Sequence, residues 1–351
     1  MNHNTSRIII ETMVCKAIKD MKDSPKRSTR NLVDMALQFS EGRFQQKFFE
    51  VAQTMLKNAN SPYYDLVQDI AVHVDSEKIM RFGINVGYNG CTVGAKMIRE
   101  IEEREKYNIP WMISLHLCPQ QFLIHQAKYH TMISKGEEIG IYTWMLLPEG
   151  QPYEVLPLVQ QHPNSAFALF CTPKEITMSF LDDVSELNNL MLVVRYDEEA
   201  QDTCELLRKM GLLYSVYDIY TEADVEAITR GDLFCGTEQL HPVFTVLLAD
   251  EECPDMARQE VYQYVRLVRD KQEFQTIVWE ATCDNSFVDS IISEEPCLSG
   301  FDADGYLFTE LEHKKESFFN LLKNDLPQIL KKAFPKGYTD NTMAKNKKDK
   351  K

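Results

Sequence analysis

From Lys78 onward the chain alternates short apolar, β-rich runs with charged stretches of helical period, and that alternation restricts the fold more than any other feature. The runs are RFGINVG, WMISLHL, IYTWMLL, AFALF, LMLVVRY, LLYSVYD, VFTVLLA and TIVWEA. Helical segments separate them, among them Thr92 to Tyr107, Pro119 to Gly136 and Pro254 to Asp270. Strands that each lead into a helix pack as a parallel sheet under those helices. The expected fold class is therefore α/β: a (β/α) barrel, TIM-like or partial, with six to eight parallel strands, preceded by a helical N-terminal unit.

The expected organisation is a helical unit over 1-77, the barrel over 78-295, a C-terminal hairpin and helix over 296-338, and a disordered lysine-rich tail over 339-351. The first unit rests on RIIIETMVCKAIKDM, TRNLVDMALQFS, RFQQKFFEVAQTMLKN and YYDLVQDIAVHV, all of helical period. CLSGFDADGYLFTE reads as a hairpin about Asp302 to Gly305; as a calcium loop it would need ligands where Gly300 and Leu311 stand.

A formal charge of -15 over 351 residues argues against a nucleic-acid partner, because such binding rests on a basic surface. No apolar run reaches the roughly 18 residues that a membrane span needs, and MNHNTSRIIIETMV lacks a secretory apolar region, so the expected location is cytoplasmic with no membrane partner. Nine cysteines are scattered with no pair closer than Cys283 and Cys297, so the spacing offers no metal site and reads as buried thiols in a reducing compartment.

Alternation along each strand nominates the chemistry. In WMISLHL, Trp111, Ile113, Leu115 and Leu117 form an apolar face for the helices, which turns Met112, Ser114 and His116 into the barrel. The same logic turns Asn85, Arg195 and Glu280 inward at strand C-terminal ends, where barrel ligands bind. His116, Glu280 and Arg195 are the catalytic candidates. They would hold an anionic or zwitterionic group and move a proton, or else satisfy one another as a polar barrel end.

The stretch INVGYNGCTVGAKMIRE reads as a strand turning through a glycine corner into a helix. It matches neither a Walker loop nor a dinucleotide fingerprint, since its glycines are Gly87, Gly90 and Gly94. Asn85, Gly87, Asn89, Gly90 and Thr92 are its ligand-binding candidates, through backbone N–H groups at a helix start; a plain tight turn is the alternative. Cys91 at that helix start is either an activated thiol or a packing residue.

The same stretch resembles the first strand and cluster loop of the radical S-adenosylmethionine superfamily, whose members follow a strand with C-x3-C-x2-C. Cys91 stands in the first ligand position, with Ala95 and Ile98 in the second and third. CLSGFDADGYLF is similar to the opening of the SPASM-type C-terminal extension, through Cys297, Gly300, Asp304 and Gly305. The resemblance implies a barrel with an S-adenosylmethionine site at the strand ends, in a bacterial anaerobe. The two missing thiols imply no iron-sulfur cluster and no radical chemistry. The expected function is thus a cluster-less radical-SAM-like barrel that binds a small-molecule ligand or a protein or peptide partner. The alternative is a barrel enzyme working by acid/base chemistry or retaining S-adenosylmethionine.

Overall fold

A computed structural model of the chain describes residues 3–38, 43–293 and 295–336; the lysine-rich end lies outside the described residues. Four helices come first: α1 (His3–Met21), α2 (Pro25–Gln38), α3 (Arg43–Met55) and α4 (Tyr63–His73). Polar ties dock them on the strand-bearing part of the chain. Arg208 meets Asp69 in a two-pronged ion pair, and Gln272 Nε2 donates to Met55 O at 3.0 Å. These ties fix the helices against the rest of the chain at several separate points.

The first expected strand is absent, because residues 76–105 are one continuous helical rod. Asp75 caps it, accepting from the N–H groups of Glu77 (2.8 Å) and Lys78 (3.4 Å). The rod runs as α5 (Ser76–Ile84), a ten-residue π-helix (Asn85–Gly94) and α6 (Ala95–Glu105). Its burial explains the unusual middle: Ile84 with Asn85, Asn89 with Gly90, and Gly94 with Ala95 are buried at five-residue steps. A five-residue repeat keeps one face inward only if the backbone bonds i to i+5, and the Ala95 N–H does reach Gly90 O.

Seven of the eight apolar runs are strands: β1 (Met112–Leu117), β2 (Thr143–Pro148), β3 (Ala166–Cys171), β4 (Leu190–Arg195), β5 (Tyr214–Tyr220), β6 (Phe244–Ala249) and β7 (Ile277–Glu280). The expected hairpin supplies β8 (Ser299–Phe301) and β9 (Leu307–Thr309), turned at Gly305 with φ +82°. Strand order is β7-β6-β5-β4-β3-β2-β1-β8-β9, with β1 to β8 parallel and β9 antiparallel to β8. The fold is an α/β partial barrel: β7 and β9 end the ladder and do not pair, so the barrel stays open.

The helices after the strands are α7 (Pro119–Glu138), α8 (Leu156–Gln161), α9 (Met178–Ser185), α10 (Ala200–Lys209), α11 (Val225–Thr229), α12 (Asp232–Glu238) and α13 (Asp255–Lys271), followed by α14 (Ala281–Ile292) and α15 (Leu326–Ala333). The outer sheet face is close-packed under them, with Ile113, Leu115, Trp144, Leu146, Phe167 and Leu169 all fully buried. Gly136 on α7 is obligatory here, since a Cβ would stand 2.5 Å from the Trp144 ring.

The inner face is lined by Ser114, Met145, Met191, Ser215 and Trp279, and α14 crosses it. Asn285 of α14 donates to Met145 Sδ (3.8 Å) and accepts from Trp279 Nε1 (3.3 Å), while Asp289 takes the Trp111 N–H at 2.8 Å. One end of α14 is locked by Asp284, 2% exposed, in a bidentate pair with Arg269 at 2.7 and 2.8 Å. Helix α14 thereby crosses the trough of the half-barrel, while Ser114, Ala168, Tyr217 and Phe244 on the inner face stay half-buried.

Candidate functional site

The strand C-terminal ends carry His116 and Arg195 as the alternation along β1 and β4 demands. Along β1 Ser114 is half-buried and His116 exposed while Ile113, Leu115 and Leu117 are buried, which is the expected two-residue period from Ile113 on; Met112 at the strand's start is buried as well. His116 packs edge-on against Phe308 of β9 at 5.3 Å. Neighbouring protein crowds its ring enough to lower its pKa, against the opposing pull of the Glu251, Glu149 and Asp302 carboxylates.

Arg195 is not free for a ligand. Its Nη2 lies 3.0 Å from Asp218 Oδ1, and its guanidinium stacks over Tyr217 at 5.5 Å. Burial raises the Asp218 pKa and the Arg195 charge works against that rise. His116 and Arg195 lie on β1 and β4, three strand spacings apart, or about 14 Å along the sheet. They do not form one constellation.

Glu280 is a correction to the facing inferred from sequence. Register pairs it with Leu247 and places Leu247 beside Asp218, on the face opposite Trp279 and Val246. It is fully buried, caps α14 by accepting the Cys283 N–H at 2.6 Å, and receives the Tyr220 hydroxyl at 3.1 Å. Burial raises its pKa, and the hydrogen bonds from Cys283 and Tyr220 lower it. Strand β7 ends at Glu280, so this residue turns with the chain into the helix and spends both oxygens on structure.

Asn85 is a second correction: it is helical and sits at the opposite end of the sheet. Its Nδ2 donates to Pro163 O (3.0 Å) and Ser165 O (2.9 Å), just ahead of β3. Asn89 donates to Asn85 Oδ1 (3.0 Å) and Asn164 O (2.8 Å), and Gly90 faces Thr143 at the start of β2. Gly87 is exposed, and the Thr92 hydroxyl closes back on Gly87 O at 3.0 Å. No helix starts at Cys91, so nothing lowers its pKa; burial raises it to about 12, which keeps the thiol protonated and inert.

The residues following the first strand that does form were missed by the sequence reading. Immediately after β1 come Cys118, Phe122 and His125, and these have the C-x3-C-x2-C spacing. Cys118 and Pro119 open α7, Phe122 is fully buried with its ring 5.2 Å from Tyr129, and His125 breaks the helical backbone at φ -116°, ψ 20°. The available signal was a cysteine directly behind a clean alternating strand. This position does not fit a three-thiolate cluster: it offers one thiol, one core phenyl ring and one imidazole. Among the described residues no group of three or more His, Cys, Asp or Glu could hold a metal ion.

The same connection exposes apolar surface, Leu123 at 47% and Ile124 at 73%. Other connections on this face repeat the pattern with Tyr153 after β2, Met178 after β3 and Met256 after β6, all exposed. Carboxylates accompany them: Glu149 after β2, Asp197, Glu198 and Glu199 after β4, Glu222 and Asp224 after β5, and Asp250, Glu251 and Glu252 after β6. A cleft of about 330 Å³ opens elsewhere, at the strand N-terminal ends, lined by Arg7, Tyr88, Asn89, Val93, Glu137, Tyr142 and Asn164.

No family model matches this chain, and no curated protein matches it. Among solved structures it is similar to Streptococcus suis SuiB bound to precursor peptide SuiA, at 10% identity over 71% of this chain and 69% of that one, with a TM-score of 0.49. SuiB bound to S-adenosylmethionine gives 8% identity over 67% of this chain and 66% of that one, with a TM-score of 0.48. Native anSMEcpe with bound AdoMet and Cp18Cys peptide gives 8% identity over 66% and 85%, with a TM-score of 0.44. At these values the likeness assigns no activity. No described helix is long and apolar enough to cross a membrane.

Proposed function

We propose that this chain is a cluster-less barrel that recognises a protein or peptide partner at the strand C-terminal ends and performs no radical chemistry of its own. The observation that carries the reading is the connection behind β1. Where a cluster loop would need three thiolates, Phe122 is spent on the core and Leu123 and Ile124 are turned to solvent. A side chain in the core cannot be replaced by a thiolate without emptying its site, and exposed leucine and isoleucine favour contact with another molecule. An adenosylmethionine anchored through an open cluster iron would find no thiolate set here.

The surrounding carboxylates and exposed apolar side chains favour a basic and partly apolar partner. Helix α14 crosses the trough, and Arg195 is already paired with Asp218, which leaves the connections at the strand C-terminal ends as the contact surface. His116 stands on the rim of that face among Glu149, Glu251 and Asp302, where a partner's cation would join the same carboxylates.

Selection of displayed random peptides on the purified chain tests this. Recovered peptides should be enriched in lysine and arginine beside large apolar residues, and should lose affinity as salt rises. Binding should fall at least tenfold in an Ile124→Ser, Glu251→Lys variant. Peptides with no basic bias, or equal binding by that variant, would overturn the reading.

A further inference from the structure

We infer that the cleft at the strand N-terminal ends is a binding site for a small zwitterion, a free amino acid or a dipeptide. This site is separate from the partner face and does not rest on it. The cleft volume of about 330 Å³ is within the range of small-ligand pockets, about 300–1,000 Å³.

Its two charged groups have opposite sign and unused capacity. Arg7 of α1 donates Nε to Glu11 at 3.0 Å and Nη1 to Asn164 Oδ1 at 3.2 Å; among the described residues Nη2 has no partner. Glu137, near the end of α7, accepts from Ser165 through Oε1 at 2.7 Å with the His162 ring 3.9 Å from that same oxygen, and among the described residues no hydrogen bond reaches Oε2. Both side chains are partly shielded, at 29% and 24% exposure, so a ligand joining them would displace little bulk water. A plain anion would meet the Glu137 charge and a plain cation the Arg7 charge. A ligand carrying both, with its carboxylate on Arg7 and its ammonium on Glu137, satisfies the pair.

The π-helix is a second, independent pointer. Tyr88 and Val93 both line the cleft and lie five residues apart, a spacing that only the i to i+5 winding brings to one side of a helix. With Tyr142 they form an aromatic and apolar wall between the charges. Glu137 and Tyr142 line the same cleft, and the Tyr142 pKa is raised by burial first and by the Glu137 carboxylate second. Wide helices of this kind recur at binding sites because they put side chains where a regular helix cannot.

Calorimetric titration of the full chain with alanyl-alanine, alanyl-tyrosine and free tyrosine tests the assignment, each alongside its N-acetylated and C-amidated form. At least one free zwitterion should bind, and blocking either end should weaken it about tenfold or more, the loss of one charge-assisted hydrogen bond. In Arg7→Gln amidation should no longer matter, and in Glu137→Gln acetylation should no longer matter. Arg7 is on a surface helix, so its variant reports even if Glu137→Gln disturbs the Ser165 contact. Absence of binding by all three zwitterions, equal binding of free and blocked forms, or unchanged affinity in Arg7→Gln would each overturn it.

Discussion

Alanine at Gly87 and at Gly94 should move stability in opposite directions if residues 76–105 are one helical rod. Gly87 is exposed and a Cβ there would meet nothing within 4 Å, so alanine only restricts the unfolded chain. That should stabilise by about 0.5–1 kcal/mol, the usual cost of glycine inside a helix. At Gly94 a Cβ would stand 2.3 Å from Gly140 O, 2.8 Å from Asn89 O and 3.1 Å from the Tyr142 ring. Two of those are backbone atoms, and Gly140 has φ +98°, so the turn cannot simply withdraw. Overpacking against backbone should cost at least about 2 kcal/mol. Urea unfolding followed by circular dichroism would separate the variants by about 3 kcal/mol. If the stretch were a strand and a glycine corner, Gly87→Ala would be the damaging change and Gly94→Ala the mild one; that order of stabilities would refute the rod.

Two further outcomes rest on buried charges. Lys78 is 6% exposed and donates to Ser185 O (2.6 Å) at the end of α9 and to Leu187 O (2.7 Å) just after it; Lys78→Met should destabilise by about 1–3 kcal/mol in urea, and an unchanged midpoint would remove this tie from the account. Asp289 is 1% exposed, and its pKa is held well above the usual carboxylate range, first by burial and then by Glu102. An acid whose pKa is raised by folding keeps its proton longer in the native state, so it costs stability increasingly as the pH climbs above about 4. Asp289→Asn should therefore gain stability relative to the parent between pH 5 and pH 8 on urea titration, and a pH-independent difference would contradict that sign.

Much of the architecture was legible because strand periodicity survives wherever a strand is covered on one face and lined on the other. WMISLHL gave its facing correctly, since Ile113, Leu115 and Leu117 are sealed while Ser114 and His116 are not. RFGINVG deceived because its buried residues recur at five-residue steps, a period shared by neither strand nor regular helix, and because Asn85 and Asn89 are buried for the carbonyls they bind. Glu280 deceived for a different reason: at a strand's last residue the chain already turns, so alternation no longer decides where a side chain points. Charge on the loops was visible as composition, but only the strand order places those carboxylates together on one face. The thiol that follows the first strand, Cys118, was hidden by the earlier and misleading Cys91.

Anaerobic reconstitution with iron and sulfide, followed by metal analysis and visible spectroscopy, tests the central claim most directly. The connection after β1 supplies a single thiol at Cys118, and Phe122 and His125 occupy the other two positions. The account expects substoichiometric iron, no broad absorption from a sulfide-bridged cluster, and the same result for Cys118→Ala. About four irons per chain with matching sulfide, lost in Cys118→Ala, would contradict it.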